Sequence, residues 1–249
     1  MVPFPPGGAL DLTGRLLAKE LQDLWGQPVP VVNKASPIVG TDFVVKSNAD
    51  GYTIVIMPST PLISAPHLQK VPYDVLKDLA PITQTTLLTY ALVATTKTGI
   101  SSIEQLIQRA RQAPGQLNYA SGGNGSGQHL YIELFKEAAK VHITHIPYRG
   151  TGPALQALMA EQVDLMFETT LTALPLVKAG KVRALMVTGA TALPQFPGAV
   201  PQDLLFPGLG IPGWYGVFAP SATPLSVRER LAQGIQQVLA LPAVDRRFR

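Results

Sequence analysis

The chain has 249 residues, 46% of them hydrophobic and 14% charged, enough to bury a sizeable core and long enough for two compact domains. Its formal net charge of +4 comes from 20 basic and 16 acidic residues; apart from Arg246, Arg247 and Arg249 the basic ones are scattered, with no Lys/Arg stripe along a helix, which argues against nucleic acid. Cysteine is absent, which excludes disulfides and cysteine-based metal or redox sites and fits an exported protein; no apolar run approaches the roughly 18 residues that span a membrane, and no signal peptide is visible.

Gly7-Gly8 opens a helix expected from about Leu10 to Leu24, with Leu10, Leu17, Leu21 and Leu24 on one face and Gly26-Gln27-Pro28 ending it. A short apolar run, Pro30–Asn33, and a second helical stretch, Gly40–Ser47, follow. Asn48-Ala-Asp-Gly51 is a turn signal, and Tyr52–Met57 reads as a buried strand, as does Tyr90–Thr95. Ser101–Gln112 is amphipathic, with Ser101 and Ser102 placed to cap it and Pro114-Gly115 to stop it. The pattern then alternates: strand Leu117–Ser121, helix Gly127–Lys140, strand Ile143–Ile146, helix Thr151–Ala160, strand Val163–Phe167, helix Leu171–Ala179 closed by Gly180, and strand Val182–Val187. Pro194–Gly213 is a long irregular connection, Gly216–Ala219 a further strand and Pro224–Leu241 a final helix.

Such alternation implies an α/β fold with parallel sheets covered by helices on both faces. The four strand–helix units after Thr98 predict an inserted domain over residues 98–212 and a discontinuous first domain made of 1–97 and 213–249, with Tyr90–Thr95 and Gly216–Ala219 as the two crossings.

The most informative stretch is Tyr119-Ala-Ser-Gly-Gly-Asn-Gly-Ser-Gly-Gln-His129, a glycine-rich loop from a strand into a helix start. Glycine lets backbone N–H groups turn inward. The first N–H groups of a helix lack internal partners and sit at its positive pole, which makes a ready anion site; Ser121 and Ser126 add hydroxyls. Four more loops follow strands or precede helices with small or polar residues: Pro3–Gly8, Pro58-Ser59-Thr60, Pro147-Tyr148-Arg149-Gly150-Thr151 and Glu168-Thr169-Thr170. Ligands of open α/β sheets sit at the carboxyl ends of the strands, and these groups suit a small anionic organic molecule better than a nucleotide. The loop is neither a Walker loop nor a Gly-x-Ser-x-Gly elbow. Ser126 and His129, three apart, leave a nucleophile–base pair as the enzymatic alternative. His142 and His145 are expected on opposite faces of a strand, which argues against a shared metal. Tyr148 reads equally as core or ligand contact, whereas Trp25, Trp214 and Phe218 read as core or domain edge.

A series of short motifs sharpens the reading. Val2-Pro-Phe-Pro-Pro-Gly-Gly8, Asp50-Gly-Tyr-Thr53, Val71-Pro-Tyr-Asp74, Pro114-Gly-Gln-Leu-Asn-Tyr-Ala-Ser121, Ile146-Pro-Tyr-Arg-Gly150, Gln162-Val-Asp164, Ala179-Gly-Lys-Val-Arg-Ala184 and Ala219-Pro220 occur in order. The series resembles the Bug receptors, or TctC family, the periplasmic solute-binding proteins of tripartite tricarboxylate transporters, over almost the whole chain. The resemblance implies a two-lobed periplasmic binding protein fold of type II. Each lobe would be a mostly parallel sheet flanked by helices, and the two would close about a hinge of two crossing strands.

It also implies a periplasmic monomer, not an enzyme, that needs no cofactor or metal and binds a small organic carboxylate (a di- or tricarboxylate, an amino acid or an aromatic acid) for membrane transporter subunits. A sensing module of the same fold, presenting its ligand state to another protein, is the remaining alternative. By motif, the resemblance places Phe4, Pro5, Gly7 and Gly8 on one carboxylate, Ser59 and Thr60 in the cleft wall, and Ser121, Gly122, Gly125, Ser126 and His129 on the ligand. Tyr148, Thr151 and Glu168 complete the set, Glu168 standing where relatives commonly have Asp. Relatives also carry a full strand before the Pro-Phe loop and continue past the position of Arg249, so the first domain is expected to be less stable here than in a chain extended at both ends.

Overall fold

The computed structural model describes residues 1–34, 36–210 and 213–244. The basic cluster Arg246, Arg247 and Arg249 lies outside them. By its contacts the chain forms two compact units, Met1–Leu87 with Gly213–Arg249, and Leu88–Pro212.

The chain enters the first unit through Met1-Val2, runs through helix α1 (Ala9–Trp25) and helix α2 (Pro37–Val45), and reaches strand β1 (Val55–Pro58). Helix α3 (Ser59–Leu68), the short helix α4 (Val75–Asp78) and strand β2 (Leu79–Leu88) follow. The second unit begins with strand β3 (Tyr90–Thr95) and a 3-10 turn at Thr96–Thr98. It continues through α5 (Ile103–Gln112), β4 (Asn118–Ser121), α6 (Gly127–Ala139), β5 (Thr144–Pro147), α7 (Thr151–Met159), β6 (Leu165–Thr169), α8 (Thr170–Lys178), β7 (Val182–Val187), β8 (Val200–Pro201) and α9 (Gln202–Leu205). Strand β9 (Gly213–Pro220) and helix α10 (Leu225–Leu239) return to the first unit.

The punctuation read from the sequence acts locally. Gly26 ends α1 with φ +62°, Ser102 caps α5 by accepting the Gln105 N–H, and Gly180 follows α8 with φ +66°. These are the left-handed and N-cap positions that glycine and serine favour. Two elements escaped prediction because their sequences argue against them. Helix α3 carries Pro61 in its first turn and Pro66 in its interior, where the latter removes a helical N–H donor. Strand β2 contains Pro81 and a mixed polar sequence without clean alternation. Tyr52 is 93% exposed, so the expected Tyr52–Met57 strand starts only at Val55, after the turn. The stretch expected to be irregular, Pro194–Gly213, holds β8 and α9.

The second unit's sheet is mixed, and in the first unit β1 pairs with β9 antiparallel. In the second unit the order is β5-β4-β6-β3-β7-β8. Strands β4, β5 and β6 run parallel, as do β7 and β8, while β3 lies antiparallel to both β6 and β7. Every residue of β3 is buried, as a strand with helices on both faces requires. Tyr90–Thr95 was expected as a crossing between domains. It is instead an interior strand of the second sheet, and Gly216–Ala219 lies within β9, the middle strand of the first unit's three-stranded sheet β1-β9-β2. The chain passes between units after Leu87 and before Gly213, so the expected boundary at residue 97 moves upstream.

In the first unit Val2 bridges Asn33 in parallel, and the Ile56 N–H donates to Met1 O. The loop Pro3–Gly8 and the Pro58–Thr60 turn therefore leave the same edge. Gly40 of α2 holds the first loop close, because a Cβ there would sit 2.3 Å from Pro3 Cβ and 2.9 Å from Pro3 Cα. Gly40→Ala, which should gain about 1 kcal/mol of helix propensity, is therefore expected to lose roughly 1–3 kcal/mol through overpacking. Denaturant unfolding checks this, and a stabilised variant would show that the loop yields.

Candidate functional site

Because β4, β5 and β6 are parallel, their carboxyl ends at Ser121, Pro147 and Thr169 meet one edge of the second sheet, and α6, α7 and α8 begin there. Three helix N-termini thus aim N–H groups and positive dipole ends at that edge. The loop after β4 is drawn tight by its own backbone. Gly123 and Gly125 take φ +117° and +74°, and the Ser126 N–H donates to Gly123 O at 3.1 Å. The neighbouring loop is laced to it: the Tyr148 N–H donates to Ser121 O at 3.0 Å, and the Gly150 N–H to Gly122 O at 3.2 Å. A Cβ on Gly122 would lie 3.2 Å from the Thr151 nitrogen, and Gln128 Nε2 donates to Thr151 Oγ1 at 3.1 Å. Ser121, Gly122, Gly125, Ser126, His129, Tyr148 and Thr151, far apart in sequence, thus share two interlocked loops. The Tyr148 ring also packs against a core cluster that includes Ala154 and Phe196.

Ser126 and His129 do not form a nucleophile–base pair. Ser126 Oγ caps α6 by accepting the His129 backbone N–H at 3.3 Å, and His129 Nδ1 accepts the Gly125 N–H at 3.2 Å. That second bond fixes the proton of the neutral ring on Nε2.

The structure adds His145, which sequence reasoning set aside. Tyr119 and His145 are register partners on β4 and β5, and their rings stack with centroids 4.7 Å apart. His129 stacks on the same His145 ring at 4.3 Å, and His145 Nε2 lies 2.6 Å from Ser121 Oγ. Beside this stack the Tyr119 hydroxyl donates to Glu133 Oε1 at 2.5 Å, and Lys136 Nζ pairs with the same oxygen at 2.6 Å. Burial, then the neighbouring His129, hold His145 down to about 4, with Lys136 adding to this and Glu133 opposing it. Burial and Lys136 lower His129 as well, against Glu133. Both rings are neutral at pH 7. His142 precedes β5 and its carbonyl accepts the Gly115 N–H, away from the stack. The strand expected over His142–His145 begins only at Thr144, so alternation does not relate the two histidines, and only the pairing of β4 with β5 shows where His145 goes.

Glu168, at the end of β6, is fully buried. Its Oε1 accepts from the Thr169 N–H at 2.7 Å, Thr169 Oγ1 at 3.1 Å and Thr172 Oγ1 at 2.7 Å, while Oε2 has no partner among the described residues. Burial pushes the carboxyl up to about 7 against these hydrogen bonds, and no charged side chain takes part.

In the first unit a buried carboxylate organises the Phe4, Pro5, Gly7 and Gly8 loop. Asp11 accepts the Gly7 N–H at 3.0 Å, Arg15 Nε at 3.0 Å and Asn33 Nδ2 at 2.8 Å, and Asn33 Nδ2 also donates to Phe4 O at 3.0 Å. Burial raises the Asp11 carboxyl, but Arg15, Gly7 and Asn33 together outweigh it and leave it below the ordinary range. An Asp at the third position of a helix whose N-cap glycine has no side chain is a signal that could have identified it. Ser59 and Thr60 are buried at the start of α3, and Ser59 Oγ accepts the Trp214 N–H at 3.2 Å. Among the described residues no group of three or more His, Asp or Glu could hold a metal ion.

Two α/β units, with polar loops where strands lead into helix N-termini, define a solute-binding receptor of the periplasmic binding protein class. The periplasmic binding protein BugD superposes with a TM-score of 0.92 over 99% of this chain and 83% of its own, at 31% identity. A Rhodopseudomonas palustris protein solved with adipate superposes with a TM-score of 0.91 over 98% of this chain and 83% of its own, also at 31% identity. The model of the TctC family, tripartite tricarboxylate transporter family receptors, matches residues 13–248, and the chain belongs to that family. A relative from Pseudomonas sp. strain P51, the UPF0065 protein in the tcbD-tcbE intergenic region, is 37% identical over 98% of this chain and 74% of its own length. Members are solute-binding receptors, not enzymes.

The raised carboxyl of Glu168 has a direct consequence for stability. A folded-state value of about 7 lies above the ordinary 4.5, so the folded protein binds this proton more tightly than the unfolded chain. Its contribution is complete below about pH 4.5 and is lost as pH rises through 7, a difference on the order of 3 kcal/mol. Unfolding titrations of wild type and Glu168→Gln should therefore diverge between about pH 4.5 and 7, the wild type losing stability relative to the variant, and run parallel above that. Curves parallel across the whole range would mean that Glu168 stays ionised in the fold.

Proposed function

We propose that this chain is the extracytoplasmic receptor that captures a small organic carboxylate and delivers it to a tripartite tricarboxylate transporter. The observation that carries the reading is the convergence of α6, α7 and α8 N-termini on loops rich in glycine and hydroxyl groups. A carboxylate placed there is bound by backbone N–H groups and hydroxyls, without a dedicated cation. Adipate in a structural relative supports the same ligand class.

In this reading one ligand carboxylate is held by Ser121, Gly122, Gly125, Ser126 and Thr151 of the second unit, with His129, Tyr148 and Glu168 at its margins. Phe4, Pro5, Gly7, Gly8, Ser59 and Thr60 of the first unit hold the other end. The two units close on the ligand about the chain passages at Leu87–Leu88 and before Gly213, and the ligand shifts the population toward the closed state. The receptor acts in the periplasm as a single chain without cofactor, and its closed form is what the membrane subunits recognise. Glu168, neutral below pH 7, tolerates an anion that an ionised carboxylate would repel.

Thermal-shift screening and calorimetry against malate, adipate, citrate, glutamate and benzoate test this. Saturable stabilisation without turnover by at least one acid is expected, and silence across all carboxylates would refute the reading. Ser126→Ala removes one hydroxyl donor to a charged group, worth about 1.5–3 kcal/mol, and should weaken the bound acid roughly ten-fold or more. Unchanged affinity would remove Ser126 from the site.

A further inference from the structure

We propose that Arg149 is the steering charge of this receptor: pinned beside the glycine-rich loop, it speeds the arrival of anionic ligands and favours dianions over monoanions. The inference rests on the receptor reading above and adds to it a residue and a basis for ligand choice.

Arg149 is fixed in its backbone and free in its side chain. The Tyr148 N–H donates to Ser121 O at 3.0 Å and the Gly150 N–H to Gly122 O at 3.2 Å, so the chain on both sides of Arg149 is bonded to the loop that leads into α6. Gly123 approaches closely as well, since a Cβ there would lie 3.3 Å from Tyr148 O. Between these anchors Arg149 cannot drift away from the loop. Yet the residue is exposed, and its guanidinium makes no hydrogen bond or ion pair among the described residues. An arginine carries a fixed positive charge, here unspent on any protein group.

Fixed charge is otherwise missing from this edge. Strand β3 runs antiparallel to both β6 and β7, so β7 is parallel to β6 and the loop that follows it reaches the same edge. The loops 122–126, 148–150 and 188–199, together with the first turns of α6, α7 and α8, contain a single Asp, Glu, Lys or Arg, which is Arg149. The nearby acids do not compete for it. Glu168 is fully buried with Oε1 turned to Thr169 and Thr172, and Glu133 is paired with Lys136.

A lone cation at a neutral edge acts before contact. Its field extends about 10 Å at 0.1 M salt and about 30 Å at 0.01 M, so an incoming anion senses Arg149 before it meets any N–H group. The attraction is proportional to ligand charge, which makes the gain in association rate for a dianion the square of the gain for a monoanion. At roughly 7 Å in water Coulomb's law gives about three-fold per ligand charge, hence roughly ten-fold for a dianion. Once docked, the ligand is held by the backbone N–H groups and hydroxyls of the loop. A charge of this kind changes association and its salt dependence rather than dissociation.

Stopped-flow rates decide the matter, measured at about 10 mM and about 0.5 M salt for every acid that thermal-shift screening finds to bind among malate, adipate, citrate, glutamate and benzoate. At low salt Arg149→Gln should slow association of malate or adipate roughly ten-fold and of benzoate roughly three-fold, with dissociation unchanged. At high salt variant and wild type should converge. Arg149→Lys keeps the charge and should keep the wild-type rates. Lys97 supplies the control, being exposed after β3 at the opposite edge of the same sheet: Lys97→Gln removes an equal charge and should leave association unchanged. Association unchanged in Arg149→Gln at low salt, an equal loss in Lys97→Gln, or a change confined to dissociation overturns the steering and leaves the receptor reading intact. If none of the five acids binds, the receptor reading falls and the inference falls with it.

Discussion

Strands β4, β5 and β6 run in one direction, and nearly everything about the candidate site depends on that. Because they are parallel, each return connection is a helix, and each helix begins at the same edge of the sheet. The fold thereby gathers orphan N–H groups at one place without any residue being selected for charge. Interior β3 makes this possible from the other side. It runs antiparallel to β6 and β7 and closes the sheet's centre with a fully buried apolar strand.

The polar groups at that edge are arranged to limit charge. Glu168 is buried with three donors on one oxygen and no cation near it, so burial outweighs its hydrogen bonds and it holds a proton near neutrality. His129 and His145 are stacked and desolvated, and both are neutral at pH 7. An anion arriving there meets dipoles and hydroxyls rather than fixed negative charge. The first unit uses the opposite device. Asp11 lies nearer the surface, and Arg15, Asn33 and the Gly7 N–H keep it ionised, so that the charge serves to hold the Phe4–Gly8 loop in shape. The two carboxylates differ in protonation because Glu168 is the more deeply buried and has no cation, whereas Asp11 has Arg15 beside it.

Much of the second unit was legible in the sequence because its signals are local. The alternation from Leu117 to Val187, the Ser102 cap and the Gly180 stop act within a few residues of themselves. The glycine-rich entry into α6 was legible for the same reason, since glycine conformation and a helix N-terminus are properties of adjacent residues. The TctC motifs, being ordered short segments, identified the family directly. Hidden from that reading were α3, whose prolines contradict a helix, and β2, whose polar face obscures a strand.

The sequence by itself determined which segments become strands and helices over most of the second unit, where the chain turns, and which loop runs glycine-rich into a helix start. Tertiary structure alone decided the direction and place of β3, the pairing of Tyr119 with His145, the stack of His145 on His129 and the grip of Asp11 on a distant loop. These depend on register and on contacts between residues far apart in the chain. A periodic pattern says which face a side chain takes, but not which strand will lie beside it, and so it cannot say whose hydroxyl a half-buried histidine will meet.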